Sequence, residues 1–190
     1  MLSVSKVYEG IRLEGLNCGL PMLFVLMGNG RDFSKTEDLV KEIYFTSISK
    51  KGGWVCILGE ETVRVGIGSL IKDLSKLGLN IEVEVDGNFS SPGWMHTVDR
   101  WVVDYREGSL FNYFALRPQD MIRFSLSSGE DVSRIVSGFE EIKLSQAVKY
   151  ILIKSKLSKL IHSSVSELHS SVFELVKGYD KSRVYFIKGE

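Results

Sequence analysis

Residues Tyr8–Asp32 read YEGIRLEGLNCGLPMLFVLMGNGRD. The first half is rich in glycine, and Pro21 opens an almost uniformly apolar run, PMLFVLM (21–27). A half-buried strand would alternate apolar and polar residues. A continuous apolar run of this length fits a strand covered on both faces, as in a parallel sheet flanked by helices.

Similar runs recur along the chain. WVCIL (54–58), WVVDY (101–105) and YILI (150–153) are nearly uniform, whereas IEVEV (81–85) alternates. MIRFSL (121–126) and RVYFI (183–187) are mixed. Amphipathic segments separate them. SKTEDLVKEIYFTSI (34–48) starts with cap residues and acids, then places Leu39, Val40 and Ile43 at helical spacing. VGIGSLIKDLSKLG (65–78) aligns Ile67, Leu70, Ile71, Leu74 and Leu77 in a stripe and ends at Gly78. GEDVSRIVSGF (129–139) predicts a shorter helix, and KLSKLIHSSVSELHSSVFELVKG (156–178) a long amphipathic one. Strand–helix alternation predicts an α/β fold: a partial (β/α) barrel of about seven mainly parallel strands, fewer than a full barrel holds. No repeat or linker divides the chain, so residues 1–190 are expected to form a single domain.

Composition narrows the function classes. Lys plus Arg number 24 and Asp plus Glu number 24, which gives no global basic field and no reason to expect a nucleic-acid partner. No run reaches the ~18 apolar residues that span a bilayer, so no membrane association is expected. Cys18 and Cys56 are the only cysteines. That number rules out a disulfide framework and points to the cytoplasm.

The opening resembles 7-carboxy-7-deazaguanine synthase, a radical S-adenosylmethionine (SAM) family of queuosine-type deazapurine biosynthesis. That family begins F-x-S-I-Q-G-E-G-x-x-x-G-x-P-x-x-F-V-R-x-x-G-C-N. Glu14, Gly15, Gly19, Pro21, Phe24, Val25 and Gly28 match it in order. Further segments follow in the family's order: WVCILGEE, LSKLGLNIEVEVDGN, VDRWVVDYREGS and DMIRFSLSSGEDV. The resemblance spans nearly the whole chain and implies a radical-SAM-like partial barrel. It also implies a homodimer, since the family is commonly dimeric and a partly open barrel leaves sheet edges to cover.

The departures fall at the chemistry. The family holds a [4Fe–4S] cluster on three cysteines, C-x3-C-x2-C or a close variant, just after its first strand. Here that position reads GNGRDFSKTEDLV, with Asn29 about where the first cysteine stands. A cluster open to SAM needs three thiolates, so an iron–sulfur cluster is not expected. The family's G-G-E-P, which contacts the methionine end of SAM, is Leu58-Gly59-Glu60-Glu61. Its substrate-holding arginine is Leu26, which cannot grip a carboxylate. E-T-N-G is Glu84-Val85-Asp86-Gly87, and S-P-K is Asp104-Tyr105-Arg106. The resemblance therefore implies a pseudoenzyme, with scaffold retained and radical chemistry lost.

Glu14, Gly15, Glu60, Glu84, Asp86, Asp104 and Arg106 are the candidate ligand-binding residues on this resemblance, and Glu14, Glu60, Glu84 and Asp86 the foremost. Ligands of α/β folds bind at the carboxyl ends of parallel strands, where these acids are expected. Solvated strand-end acids are the bland alternative for any one of them. No nucleophile–base pair is evident. His162 and His169 lie about 10.5 Å apart along the predicted helix, too far to share a metal ion. Three readings remain open. One is a binding or regulatory protein for SAM, a pterin, a deazapurine or a partner enzyme. Another is a cluster-independent enzyme that uses strand-end acids or a divalent metal. The third is a purely structural module whose pocket has filled with side chains, which an absence of any cavity at the strand ends would favour.

Overall fold

A computed structural model describes residues 2–46, 52–59, 62, 66–88, 90–108, 112–126, 137–138, 140, 150–155, 170 and 184–188. The strands are β1 (Leu2–Ile11), β2 (Pro21–Phe33), β3 (Trp54–Leu58), β4 (Asn80–Asp86), β5 (Arg100–Asp104), β6 (Met121–Leu126), β7 (Tyr150–Ser155) and β8 (Val184–Lys188). Helix α1 (Thr36–Thr46) follows β2, and α2 (Ile67–Lys76) follows β3. The helix expected over 156–178 and most of the one expected over 129–139 lie outside the described residues. No helix among the described residues is long and apolar enough to cross a membrane.

The strands form one sheet in sequential order from β1 to β8. β2 to β8 run parallel, and β1 pairs antiparallel with β2. A doubly wound sheet would reverse its strand order at a switch point. Unbroken sequential order is the winding of a (β/α) barrel, here a partial one. The seven parallel strands are those expected from the apolar runs. β1 is the addition. Its first residues, Leu2 and Val4, are buried, but most of the rest is exposed or half-buried, so it lacks the apolar run of its neighbours.

Alternation along each strand separates two faces. Val25 and Met27, Val55 and Ile57, Val83 and Val85, and Trp101 and Val103 point to the helix side. There they pack with Leu39 and Ile43 of α1 and with Ile67, Leu70, Ile71 and Leu74 of α2. Burying each of these aliphatic side chains contributes about 1.5–3 kcal/mol relative to exposure. The expected α2 stripe holds except at Leu77, which is 38% exposed and caps the helix end. Gly78 then turns the chain with φ +75° and its N–H donates to the Ser75 carbonyl, as the stop signal predicts.

The junction from β2 to α1 bears directly on function. β2 continues to Phe33, and only Ser34 and Lys35 separate it from α1. Val4 registers with both Met27 and Arg31, so Gly28, Asn29 and Gly30 form a bulge between those partners. A Cβ on Gly30 would overlap the Val4 carbonyl. Glycine allows this close backbone approach.

Candidate functional site

The other face of the sheet is not a simple apolar core. Phe24, Met22 and Cys56 form a small apolar cluster, and Val102 and Met121 form another. Between these clusters stand charged side chains at the inward positions: Glu82 and Glu84 of β4, Arg100 and Asp104 of β5, and Arg123 of β6. The IEVEV alternation puts both glutamates on this face and Ile81, Val83 and Val85 on the helix side.

The β1–β2 loop, Arg12–Leu20, supplies the remaining groups. It closes on itself: the Arg12 N–H donates to the Leu20 carbonyl at 2.9 Å, and the Gly19 N–H donates to the Arg12 carbonyl at 2.8 Å. Gly15 adopts φ +81° and faces Met121, where a Cβ would sit 3.3 Å from the methionine methyl. Leu16 packs on the Val102–Met121 cluster. Arg12 and Asn17 are buried despite their polarity.

These residues form an alternating chain of charge. Arg100 lies 3.7 Å from Glu82, whose other oxygen is 3.1 Å from Arg12. Asn17 donates to Glu82 at 3.1 Å. Arg12 also pairs with Glu84 through one carboxylate oxygen. Arg123 takes the other oxygen of Glu84 at 3.1 Å. Arg123 further donates to Glu14 at 2.7 Å and grips Asp104 through two nitrogens. Four carboxylates, Glu14, Glu82, Glu84 and Asp104, thus face three guanidinium groups, Arg12, Arg100 and Arg123.

Burial shapes the protonation of this network. Burial pushes the Glu82 carboxyl up, and neighbouring Glu84 adds to the rise, against the opposing pull of Arg12. The Cys56 thiol is raised well above its ordinary value by burial and by Glu84 and Glu82, so it stays protonated near neutrality. Burial disfavours the Arg12 cation, but Glu84 and Glu82 outweigh that and hold it charged. The same opposition acts on Arg123: burial lowers its pKa, and Asp104, Glu84 and Glu14 raise it further than that.

Of the residues singled out from the sequence, Glu14, Glu84 and Asp104 meet at Arg123, and Gly15 adjoins them. Asp86 lies apart at the exposed end of β4, where it accepts from the Asn88 N–H at 3.0 Å. The Arg106 side chain is exposed, while its N–H donates to the Tyr113 hydroxyl at 2.9 Å. Glu60 lies outside the described residues. Sequence reasoning did not single out Arg12, Asn17, Glu82, Arg100 or Arg123. A signal existed for three of them: Glu82, Arg100 and Arg123 fall at inward positions of strands with apolar neighbours. For Arg12 and Asn17, on an irregular loop, no periodic signal was available.

The groups present do not fit an iron–sulfur cluster. Cys56 is buried beside Glu84, Cys18 is an exposed loop thiol, and the sequence holds no third cysteine. The direct run from β2 into α1 also leaves no loop for cluster ligands. Cys56, Glu82 and Glu84 present donor atoms within 4.8 Å of one another. As they stand they suit a divalent metal poorly, because the Arg12 guanidinium already pairs with both carboxylates and the thiol is protonated. A cavity of about 630 Å³ lies elsewhere, at the amino ends of β2 and β3 rather than at the carboxyl strand ends. Its walls include Gly10, Ile11, Leu20, Pro21, Gly53 and Trp54.

The sequential sheet, its described helices on one face and a charged inner face define a partial (β/α) barrel. The crystal structure of QueE from Escherichia coli superposes with a TM-score of 0.66 over 99% of this chain and 93% of that one. Identity is 12%, so the likeness establishes a QueE-like fold. No family model matches the chain, and no curated protein matches it in sequence.

Proposed function

We propose that this chain is a cluster-less relative of 7-carboxy-7-deazaguanine synthase that acts as a binding or regulatory protein rather than a radical enzyme. Its ligand is SAM, a pterin or a deazapurine, or it engages an active partner enzyme. The observation that carries this reading is the junction after β2. Where the resembled family has its three-cysteine loop, this chain has a glycine-flanked bulge and a two-residue turn into α1. A cluster cannot be held there without thiolates.

The barrel supplies the binding half of the reading. Glu14, Glu84 and Asp104 converge on one arginine of the inner face. An amine-rich ring that displaces an arginine from them would meet these acids as partners. Glu60, Asp86 and Arg106 complete the proposed contact set from the matched motifs. Isothermal titration with SAM, a pterin and a deazapurine, together with pull-down of partners, tests the proposal. Binding of one ligand, weakened by Glu84→Ala, supports it. No heat with any of the three and no recovered partner overturn it.

The alternative, a cluster-independent enzyme, has one observation in its favour: the proximity of Cys56, Glu82 and Glu84. It predicts a metal-dependent activity that is lost in Glu84→Ala. Unchanged turnover in that variant removes these residues from such a mechanism.

A further inference from the structure

The inner-face acids are occupied by the chain's own arginines. Arg12 stands against both Glu82 and Glu84, and it arrives on a nine-residue loop that fills the same face. We infer that the Arg12–Leu20 loop is a removable plug, and that the ligand displacing it carries a guanidinium or amidinium group that takes Arg12's place between Glu82 and Glu84. This inference rests on the ligand-binding reading above and names the chemical class that reading leaves open.

Three features distinguish a plug from a fixed part of the core. First, the loop is held by charge more than by apolar packing. Leu16 packs inward, but Leu13 is 76% exposed and Leu20 43%. Segments with few buried apolar contacts open at low free energy. Second, the closed arrangement is incompletely satisfied: among the described residues, buried Arg12 Nε makes no hydrogen bond, and Glu82 Oε1 meets Arg12 at 3.1 Å as an ion pair without hydrogen-bond geometry. A cation of better fit gains bonds that Arg12 leaves unmade. Third, the backbone bonds at the foot of the loop tie Arg12 to Gly19 and Leu20, so it can swing as one unit. The cavity beside that foot borders Ile11 and Leu20 and leaves open space on that side.

Cys56 reports opening, because its buried thiol lies 3.9 Å from Glu84, the carboxylate that Arg12 holds. In a Cys18→Ser background, Cys56 is expected to react with a thiol reagent by local opening, with little dependence on urea. Arg12→Ala is expected to raise the rate at least about ten-fold. Millimolar methylguanidinium is expected to restore protection and raise the melting temperature of that variant, while urea at the same concentration does neither. If Arg12→Ala fails to fold, Glu14→Gln replaces it, since this change releases the loop from Arg123 and leaves Arg12 in place. Labelling that tracks global unfolding, with its full urea dependence, overturns the plug. Fast labelling without selective methylguanidinium rescue in Arg12→Ala overturns the cation class. Both experiments run without SAM, pterin or deazapurine, so a failed ligand titration with fast labelling removes only the earlier proposal.

Discussion

At the residue scale, the inner face is governed by the cost of buried charge. Arg123 serves three acids from β1–β2, β4 and β5, and its side chain is only 14% exposed. Removing one partner of a buried network leaves the others uncompensated and typically costs about 3–5 kcal/mol. Arg123→Met is therefore expected to lower the unfolding free energy by that amount, read in equilibrium unfolding as a lower urea midpoint at an unchanged urea slope. Glu82 sets a pH dependence. Its carboxyl is raised in the folded state by burial and Glu84, so the folded chain binds its proton more tightly than the unfolded chain does. Stability from this group is full below the ordinary carboxyl pKa of about 4.3 and is lost as pH rises through the raised value. The stability of wild type minus that of Glu82→Gln should thus fall with rising pH and then level. A difference that grows with pH would show that Arg12 and Arg100 dominate instead. Residue-level reading of the sequence grouped Glu14, Glu60, Glu84, Asp86 and Asp104 at strand ends, with solvated acids as the alternative; Glu14, Glu84 and Asp104 meet at Arg123, and Asp86 lies apart. That reading missed their counter-ions, because pairing across the barrel depends on strand register and on how an irregular loop folds back.

At the scale of elements, the parallel strands and the two described helices were legible because burial on two faces, or on one stripe, writes itself into periodicity. β1 was not legible as a strand. It is an edge strand with few buried side chains, and what fixes it is pairing to β2, a non-local property. The start of the first helix was legible: cap and acid signals begin at Ser34, and α1 begins at Thr36. The bulge was not legible, since its register depends on Val4. Gly30→Ala tests that geometry. Its Cβ meets the Val4 carbonyl, and forcing backbone apart is expected to cost about 1–3 kcal/mol. Leu70→Ala in α2, a fully buried core position, should cost about 2–5 kcal/mol by cavity formation. Thermal or urea unfolding of the two variants checks both values.

For the whole molecule, a fold in common with QueE is compatible with many activities, since function resides in sites rather than in scaffolds. The barrel supplies a protected inner face and an arrangement of acids and arginines. Radical chemistry of the SAM type requires a cluster held on thiolates; this chain carries two cysteines, Cys18 and Cys56, and the proposal is that it holds no cluster. The most direct test is iron and acid-labile sulfide content after anaerobic purification and reconstitution, read with the visible absorption spectrum. The account predicts substoichiometric iron and no cluster absorption. About four irons and four sulfides per chain, the content of a [4Fe–4S] cluster, would contradict it and return the radical-enzyme reading.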